Sequence, residues 1–541
     1  MRPPVLLSPL VSRFALALLA AGAATACGKE RVSSTGATGG TIIVDVGADA
    51  GAALPPLVQD ETADLVTKMV FDHLAEIGPD LSTVGDKGFR PRLATRWTWS
   101  PDSLSIAYAI DPRARWHDGQ PVRASDVRFS YLLSVNPKVG SVLAPLLTNV
   151  DSVSVRDSLT AVIWFKKHTP EQFYDVAYQL GIMPEHIYGR IPPEQLKTSD
   201  AARHPIGSGR FRLASWQPGQ RIELVADTAN YRGRATLDRV ILSVAKDPQT
   251  AATQVLTGQA DFYEAFPMDQ AARLDSSTVA RAEPFTQMAY TFMGMNLHNP
   301  KSKAVAHPIF GDRAVRRALS MAVDRDALLR NVFGKYGRIS YGPFPRAVAS
   351  ADTTLKLPPF DVAHARALLD SAGWHEPSPG ATRVKNGVPL RFTLMTPTSS
   401  LFRMRYAVLL QNQFKNVGAQ VDIDALQGNT FYSRQFASDF DAALISFNTD
   451  PSITGAKQSW STSGIGADGQ NDVGFSNPTV DALLDSSAAA FDPAKAKSYA
   501  SRAYQAMIDD APGIWLYDVS VVTAVNKRID RDKIGLTSAK P

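Results

Sequence analysis

The sequence predicts an α/β protein that carries an additional β-rich segment. Strand-like runs rich in Ile, Val, Phe and Tyr alternate with helices that have clear capping signals, and this alternation is typical of α/β architecture. The segment from about 89 to 165 differs, because turn signals such as Asp118-Gly119 interrupt it and little helix is expected there. The predicted strands are Ile42–Val46, Ser105–Ile110, Ala161–Phe165, Arg221–Val225, Arg239–Val244, Arg391–Met395, Gln420–Ile423, Ala442–Phe447 and Val521–Val525.

Four helices in the second half of the chain have explicit boundary signals. Asp361 is placed to cap a helix that Gly373 ends. Asn477-Pro478 and Asp492-Pro493 each place a capping side chain before a proline at the first helical position. A further helix is predicted over 402–417, before a glycine and a strand.

Composition places the chain among ordinary globular proteins. Of its 541 residues, 44% are hydrophobic and 20% are charged, and the net charge is +5. Basic residues form only short clusters such as Arg313, Arg316 and Arg317, whose helical spacing predicts a solvated helix face and no nucleic-acid partner. The nine histidines are scattered, and no H-E-x-x-H motif or cysteine pair occurs, so no transition-metal site and no cofactor is predicted.

The first residues are typical of an exported protein. Two arginines precede an apolar run from Phe14 to Ala26, which is too short to span a bilayer and typical of a signal peptide. Cys27, the only cysteine, follows, and 24–27 resembles a bacterial lipobox. We therefore predict a signal peptide over 1–26, and a lipid-anchored Cys27 with a flexible tether over 27–40. The alternative is ordinary cleavage after an A-x-A-like site, with Cys27 incidental.

Five sequence blocks stand out along the rest of the chain. The first contains W-H-D-G-Q-P at 116–121 and A-S-D-V at 124–127, and the others lie at 206–262, 312–325, 368–374 and 471–481. In this order they resemble the signature blocks of the family 5 extracellular solute-binding proteins, which include dipeptide- and oligopeptide-binding proteins.

This resemblance implies a two-lobed periplasmic-binding-protein fold with an extra β-rich domain. Ligand is then expected between the two lobes, which close around it by a hinge. The implied domains are a discontinuous lobe I over 41–57, 207–290 and 510–541, a β-rich insertion over 58–206, and lobe II over 291–509.

The resemblance also implies candidate ligand-binding residues after the predicted strand 442–447. In peptide-binding relatives this region supplies an aspartate that pairs with the ligand's α-ammonium, and Asp450 is its counterpart here; a carboxylate in a dry cleft attracts a cation strongly. Those relatives carry a second acidic residue that this chain lacks, and capping of the Asp-Pro turn is the alternative role for Asp450. The other candidates are Trp460, Phe447, Asn471, and Arg403 or Arg405 for a ligand carboxylate; core packing is the alternative for Trp460, and a solvated position is the alternative for either arginine.

The leading functional prediction is a substrate-binding lipoprotein of an ABC importer, which captures a peptide or peptide-like solute and delivers it to a membrane permease. The alternatives are an envelope receptor or chaperone on the same fold, a cell-envelope enzyme, and a binding protein for a nickel complex, haem or an oligosaccharide. Expected partners are the small ligand, the permease subunits and a membrane reached through the lipid anchor. The protein is expected to be monomeric and to lie in the periplasm or cell envelope.

Overall fold

The computed structural model describes residues 39–466 and 469–530. The predicted signal peptide, Cys27 and most of the tether lie outside these residues. An 11-stranded sheet runs through the described part of the molecule. Its strands, in spatial order, are Gln420–Leu426, Arg391–Pro397, Ala442–Asn448, Ala280–Met295, Gly513–Asn526, Phe262–Phe266, Thr41–Val46, Arg239–Val244, Arg221–Ala226 and Phe211–Gln217, and Arg338–Ile339 pairs with Gly513–Asn526.

Two long antiparallel strands, Ala280–Met295 and Gly513–Asn526, pass from one half of this sheet into the other. The sheet continues through Phe262–Phe266 and Thr41–Val46 on one side and through Ala442–Asn448 on the other. Register shifts interrupt the pairing near the middle of the two strands, and such irregularities bend a strand. The two halves of the sheet form the two lobes, and this strand pair connects them. The domain boundaries given above stay a prediction; the strand Ala280–Met295 crosses the one at 290.

Helix Glu61–Val70, which falls inside the predicted insertion range 58–206, packs on one face of the lobe I sheet, and helix Pro248–Thr257 packs on the other. Both begin at an aspartate whose side chain accepts a backbone N–H: Asp60 from Ala63, and Asp247 from Thr250. These caps fix where each helix starts, so its apolar side chains meet the sheet.

The insertion is built on a four-stranded antiparallel sheet, and its hydrophobic core is separate from those of the lobes. Gly119 has a φ of 88° and its N–H donates to the Trp116 carbonyl at 2.8 Å, which confirms the predicted tight turn. Its strands are Ala94–Trp99, Ser105–Ile110, Thr160–Phe165 and Val150–Asp157, and its helices are Ala124–Val135, Gln172–Ala177 and Glu185–Tyr188.

Lobe II packs helices against its half of the sheet. Asp361, Asn477 and Asp492 each accept a backbone N–H at the start of a helix, so these three predicted caps are confirmed. The helices of this lobe are Arg313–Met321, Arg325–Phe333, Val362–Ser371, Leu401–Lys415, Gly428–Phe436, Gly455–Trp460, Pro478–Ala488 and Pro493–Asp510.

The prediction of a solvated face for the cluster at 313–317 is wrong for Arg316. This side chain is buried, and its guanidinium donates to the backbone carbonyls of Asp510, Ala511 and Phe310. Two of these carbonyls lie at the end of helix Pro493–Asp510, where a cation is favourable. Sequence spacing placed the arginines on one helix but could not show that a second helix ends there.

Candidate ligand-binding site

A cavity of about 720 Å³ lies between the insertion and lobe II. The insertion contributes residues within 145–149 and 167–175, and lobe II contributes residues within 448–459 and 485–491. The cavity is within the size range of small-molecule sites in proteins. Because its walls come from two domains, it can change shape when those domains move.

Asp450 lies in this cavity, two residues after the strand Ala442–Asn448. Its Oδ1 accepts a hydrogen bond from the Ser452 backbone N–H at 2.9 Å. Burial raises the pKa of this carboxyl above its usual value. The structure therefore places Asp450 both in the turn that follows the strand and in the wall of the cavity, so the two predicted roles are compatible.

Two more carboxyl groups, Glu171 and Asp175, line the cavity from the insertion side. Burial raises the pKa of Glu171, and the charge of Asp450 adds to that rise. Burial also raises the pKa of Asp175 to about 8, with further contributions from Glu171 and Asp450. Three carboxyl groups therefore share one partly dehydrated space, and the charges of Asp450 and Glu171 disfavour ionisation of their acidic neighbours.

Hydrogen bonds accepted by Glu171 join the insertion to lobe II. Its Oε2 accepts from the Ser452 hydroxyl at 2.7 Å, and its Oε1 accepts from the Ile453 backbone N–H at 3.1 Å. Oε1 also accepts from the Thr83 hydroxyl at 2.5 Å. This buried side chain thus holds the loop that carries Asp450.

The cavity also has basic groups in its wall. Lys167, His168 and Lys457 line it together with the acids. Lys457 forms an ion pair with Asp485 at 2.5 Å, so part of its charge is compensated. The group of three acids around Asp450 is therefore the negative part of a wall of mixed charge.

Trp460 and Phe447 belong to the aromatic core of lobe II. Trp460 is only 1% exposed, and its Nε1–H donates to the Tyr290 hydroxyl at 2.9 Å. The Trp460 ring packs against Trp515, with centroids 5.1 Å apart, and Phe447 lies 6.3 Å away. The described residues that line the cavity include neither Trp460 nor Phe447.

Asn471 and Arg403 are buried in lobe II and make internal hydrogen bonds. The Asn471 side-chain amide donates to the carbonyls of Ser461 and Phe475 and accepts from the Phe475 N–H, which fixes this loop. The Arg403 guanidinium donates to the Leu444 carbonyl at 3.2 Å. Arg403 is 7% exposed, so a solvated position is wrong for it. Of the five predicted ligand contacts, Asp450 alone is in the described lining of the cavity.

Sequence reasoning missed Glu171 and Asp175. They lie at the start of a six-residue helix, in the segment P-E-Q-F-Y-D, where acidic residues are ordinarily solvated. Their position opposite Asp450 arises from tertiary folding across more than 270 residues of chain. The only sequence signal is the spacing of the two acids by four residues, which places them on one helix face.

Two further findings concern the described residues only. No group of three or more His, Cys, Asp or Glu side chains there is arranged to hold a metal ion. No helix in that part of the chain is long and apolar enough to span a membrane.

Comparison with known proteins gives the family. The model of the bacterial extracellular solute-binding proteins, family 5, matches residues 88–468. Protein XP55 of Streptomyces lividans is 27% identical over 514 residues, which cover 93% of this chain and 88% of that protein. The oligopeptide-binding protein AppA of Bacillus subtilis is 25% identical over 420 residues, covering 76% and 75% of the two chains. The crystal structure of NikA from Brucella suis in complex with Fe(III)-EDTA superposes with a TM-score of 0.79 at 20% identity, covering 92% and 98%, and so shares the fold.

The two-lobed sheet and the cavity between domains define an α/β solute-binding protein. The chain belongs to the bacterial extracellular solute-binding proteins of family 5. Members of this family are substrate-binding components of ABC transporters and not enzymes. The predicted family and fold class are therefore confirmed.

Proposed function

We propose that this chain is the substrate-binding lipoprotein of an ABC importer, and that it captures a short peptide or peptide-like solute with a free amino group. The observation that carries the proposal is the position of Asp450 in a cavity between two domains, in whose lining Glu171 and Asp175 also lie. In this account the ligand's ammonium group binds at the Asp450 carboxylate.

The electrostatics of the cavity support a cationic group at this position. Burial raises the pKa values of all three carboxyl groups, and the charges of neighbouring acids raise those of Glu171 and Asp175 further. An ammonium group among them offsets that repulsion and donates charge-assisted hydrogen bonds. A carboxylate in the same place adds a further negative charge, so this end of the cavity suits the amino terminus rather than the carboxyl terminus of a peptide.

The names of relatives agree with a peptide ligand. AppA of Bacillus subtilis is an oligopeptide-binding protein, and several Brucella relatives are described as ABC transporter peptide-binding proteins, 27% identical over 411 residues. Release of the closed protein's ligand at a permease completes the proposed cycle. The protein acts as a monomer, held in the envelope by acylated Cys27.

Calorimetry with triglycine and N-acetyl-triglycine tests the amine site. Triglycine is expected to bind the native protein, and acetylation is expected to weaken binding because it removes the charge. Asp450→Asn is expected to weaken triglycine binding by about tenfold or more, since a hydrogen bond to a charged group contributes about 1.5–3 kcal/mol. Asp269→Asn, at an exposed position in lobe I, serves as the matched control. Equal affinity of the Asp450→Asn variant and the control for triglycine contradicts the proposal.

The lipid anchor has its own test. Cys27→Ser removes the thiol that acylation requires, so the variant is expected in the soluble fraction while the native protein sediments with membranes. Cells expressing each form are fractionated and probed for the protein. Membrane attachment that survives the substitution rules out the anchor without affecting the amine site.

A further inference from the structure

A second cavity, of about 330 Å³, lies in lobe I beside helix Glu61–Val70. Its floor is the sheet face that carries Ile42 and Val44, and the helix side chains Leu65 and Met69 form one wall. The remaining apolar lining residues are Val46, Val240, Leu242, Phe262, Ala265 and Phe285. Its volume is at the lower end of the range for small-molecule sites.

Several apolar side chains in this lining keep part of their surface exposed. Ile42, Val44, Leu65, Met69 and Phe262 are all half-buried. Full burial of an aliphatic or aromatic side chain is favourable because it removes apolar surface from water. An apolar group that fills the cavity therefore gains from covering these side chains and from its own burial.

The charged groups of the lining are all acidic. Glu61, Asp64 and Glu264 line the cavity, and no Lys, Arg or His does so among the described residues. Lys68, on the same helix, forms an ion pair with Asp64 at 2.9 Å and compensates part of this charge. An occupant with a positive charge is complementary to this lining, and one with a carboxylate is not.

One interstrand hydrogen bond links the linings of the two cavities. Gln287 lines the lobe I cavity, and the carbonyl of its neighbour Met288 accepts from the Thr449 N–H at 2.8 Å. Thr449 and Asp450 line the other cavity. This connection places the Cα atoms of Gln287 and Asp450 at most about 13 Å apart, and an extended tripeptide is about 10 Å long.

The geometry points to a ligand that occupies both cavities: a short peptide with its amino terminus at Asp450 and an apolar side chain in the lobe I cavity, accompanied by a basic side chain near the acids of that lining. This inference rests on the proposed function, because it extends the same ligand from the Asp450 site. It adds a substrate class, namely short peptides that combine an apolar and a basic residue.

Calorimetry with three peptide amides tests this substrate class. Ala-Phe-Lys amide is expected to bind the native protein most tightly. Ala-Ser-Lys amide and Ala-Phe-Glu amide are each expected to bind about tenfold more weakly, because one loses the buried apolar group and the other loses the cation. Equal affinity for the three amides overturns the inference and leaves the proposed function standing, whereas no binding of any peptide overturns both.

The Val44→Phe variant tests whether the preference for a phenylalanine side chain arises in the lobe I cavity. The larger side chain fills the cavity, so affinity for Ala-Phe-Lys amide is expected to fall to that for Ala-Ser-Lys amide, which itself stays unchanged. Val305→Phe, at a 53% exposed valine in lobe II, is the matched control. Thermal unfolding checks that each variant folds, and Leu65→Gln replaces Val44→Phe if that variant does not. If the tested variant still binds Ala-Phe-Lys amide more tightly than Ala-Ser-Lys amide by the native factor, the inference is overturned.

Discussion

Asp175, one of the three acids in the Asp450 cavity, has a strongly raised pKa. Burial first, and then Glu171 and Asp450, raise it to about 8, whereas an aspartate in an unfolded chain has a pKa of about 3.9. The folded protein therefore holds a proton that the unfolded chain releases. The resulting stabilisation is complete below the unfolded pKa and is lost as pH rises through about 8.

This sign gives a prediction for the ligand-free protein. Between pH 6 and pH 9 the free energy of unfolding is expected to fall, and Asp175→Asn is expected to reduce that fall by about 1–2 kcal/mol. Denaturant unfolding of both proteins at several pH values measures the difference. The other titrating groups are common to the native protein and the variant, so their contributions cancel in the difference between the two pH profiles. Identical pH profiles contradict a raised pKa for Asp175.

At the residue scale the sequence located one member of the site and missed two. Asp450 was predicted because it follows a strand inside a region that resembles a known family. Glu171 and Asp175 could not be predicted, because their burial depends on lobe II packing over them. Trp460 lies on the helix next to the cavity, but its side chain turns into the core and donates to Tyr290, a direction that the sequence does not reveal.

At the scale of elements, the loop 449–454 is held from two sides. The Thr449 N–H donates to the Met288 carbonyl in the long strand Ala280–Met295. Glu171 in the insertion accepts from Ser452 and Ile453. The loop that carries Asp450 is thus fixed both to the connection between the lobes and to the opposite wall of the cavity.

Glu171→Gln is expected to loosen this loop. The glutamine oxygen can still accept from the Ile453 N–H and its nitrogen can donate to the Ser452 hydroxyl, but both contacts are weaker because the charge is gone. Hydrogen exchange is expected to be faster at the amides of 449–454, and triglycine affinity is expected to fall several-fold. Glu194→Gln, at an exposed position in the insertion, is the control. Unchanged exchange in the loop contradicts a bridging role for Glu171.

Elements with local boundary signals were the ones that the sequence predicted well. Ser105–Ile110 and Arg239–Val244 match the predicted strands residue for residue, and the capped helices begin where their aspartates or asparagine indicate. Neither long strand was predicted in full: Gly513–Asn526 was expected only from Val521, and Ala280–Met295 was not predicted at all. Both strands pass from one lobe into the other, and the two lobes bury different faces of them. One pattern of alternating apolar and polar residues therefore does not extend along either strand. In Ala280–Met295, Pro284 and Gly294 weaken the strand signal further.

At the scale of the whole molecule, two lobes share one sheet and are connected by two strands. The insertion closes one side of the space between them through contacts such as Val84 with Ile453 and His168 with Phe491. Hinge motion about the two strands changes the distance between the walls of the cavity while each core stays intact. This arrangement suits capture and release of a solute, which is the role of the family.

The central claim is that a peptide binds in the cavity between the insertion and lobe II with its ammonium group at Asp450. A crystal structure of the native protein with bound triglycine tests this claim most directly. We expect the ammonium nitrogen at about 2.7–2.9 Å from an Asp450 carboxylate oxygen, with Glu171 and Asp175 nearby. The claim is contradicted if the amino terminus of the peptide contacts other residues and Asp450 still accepts only from the Ser452 N–H.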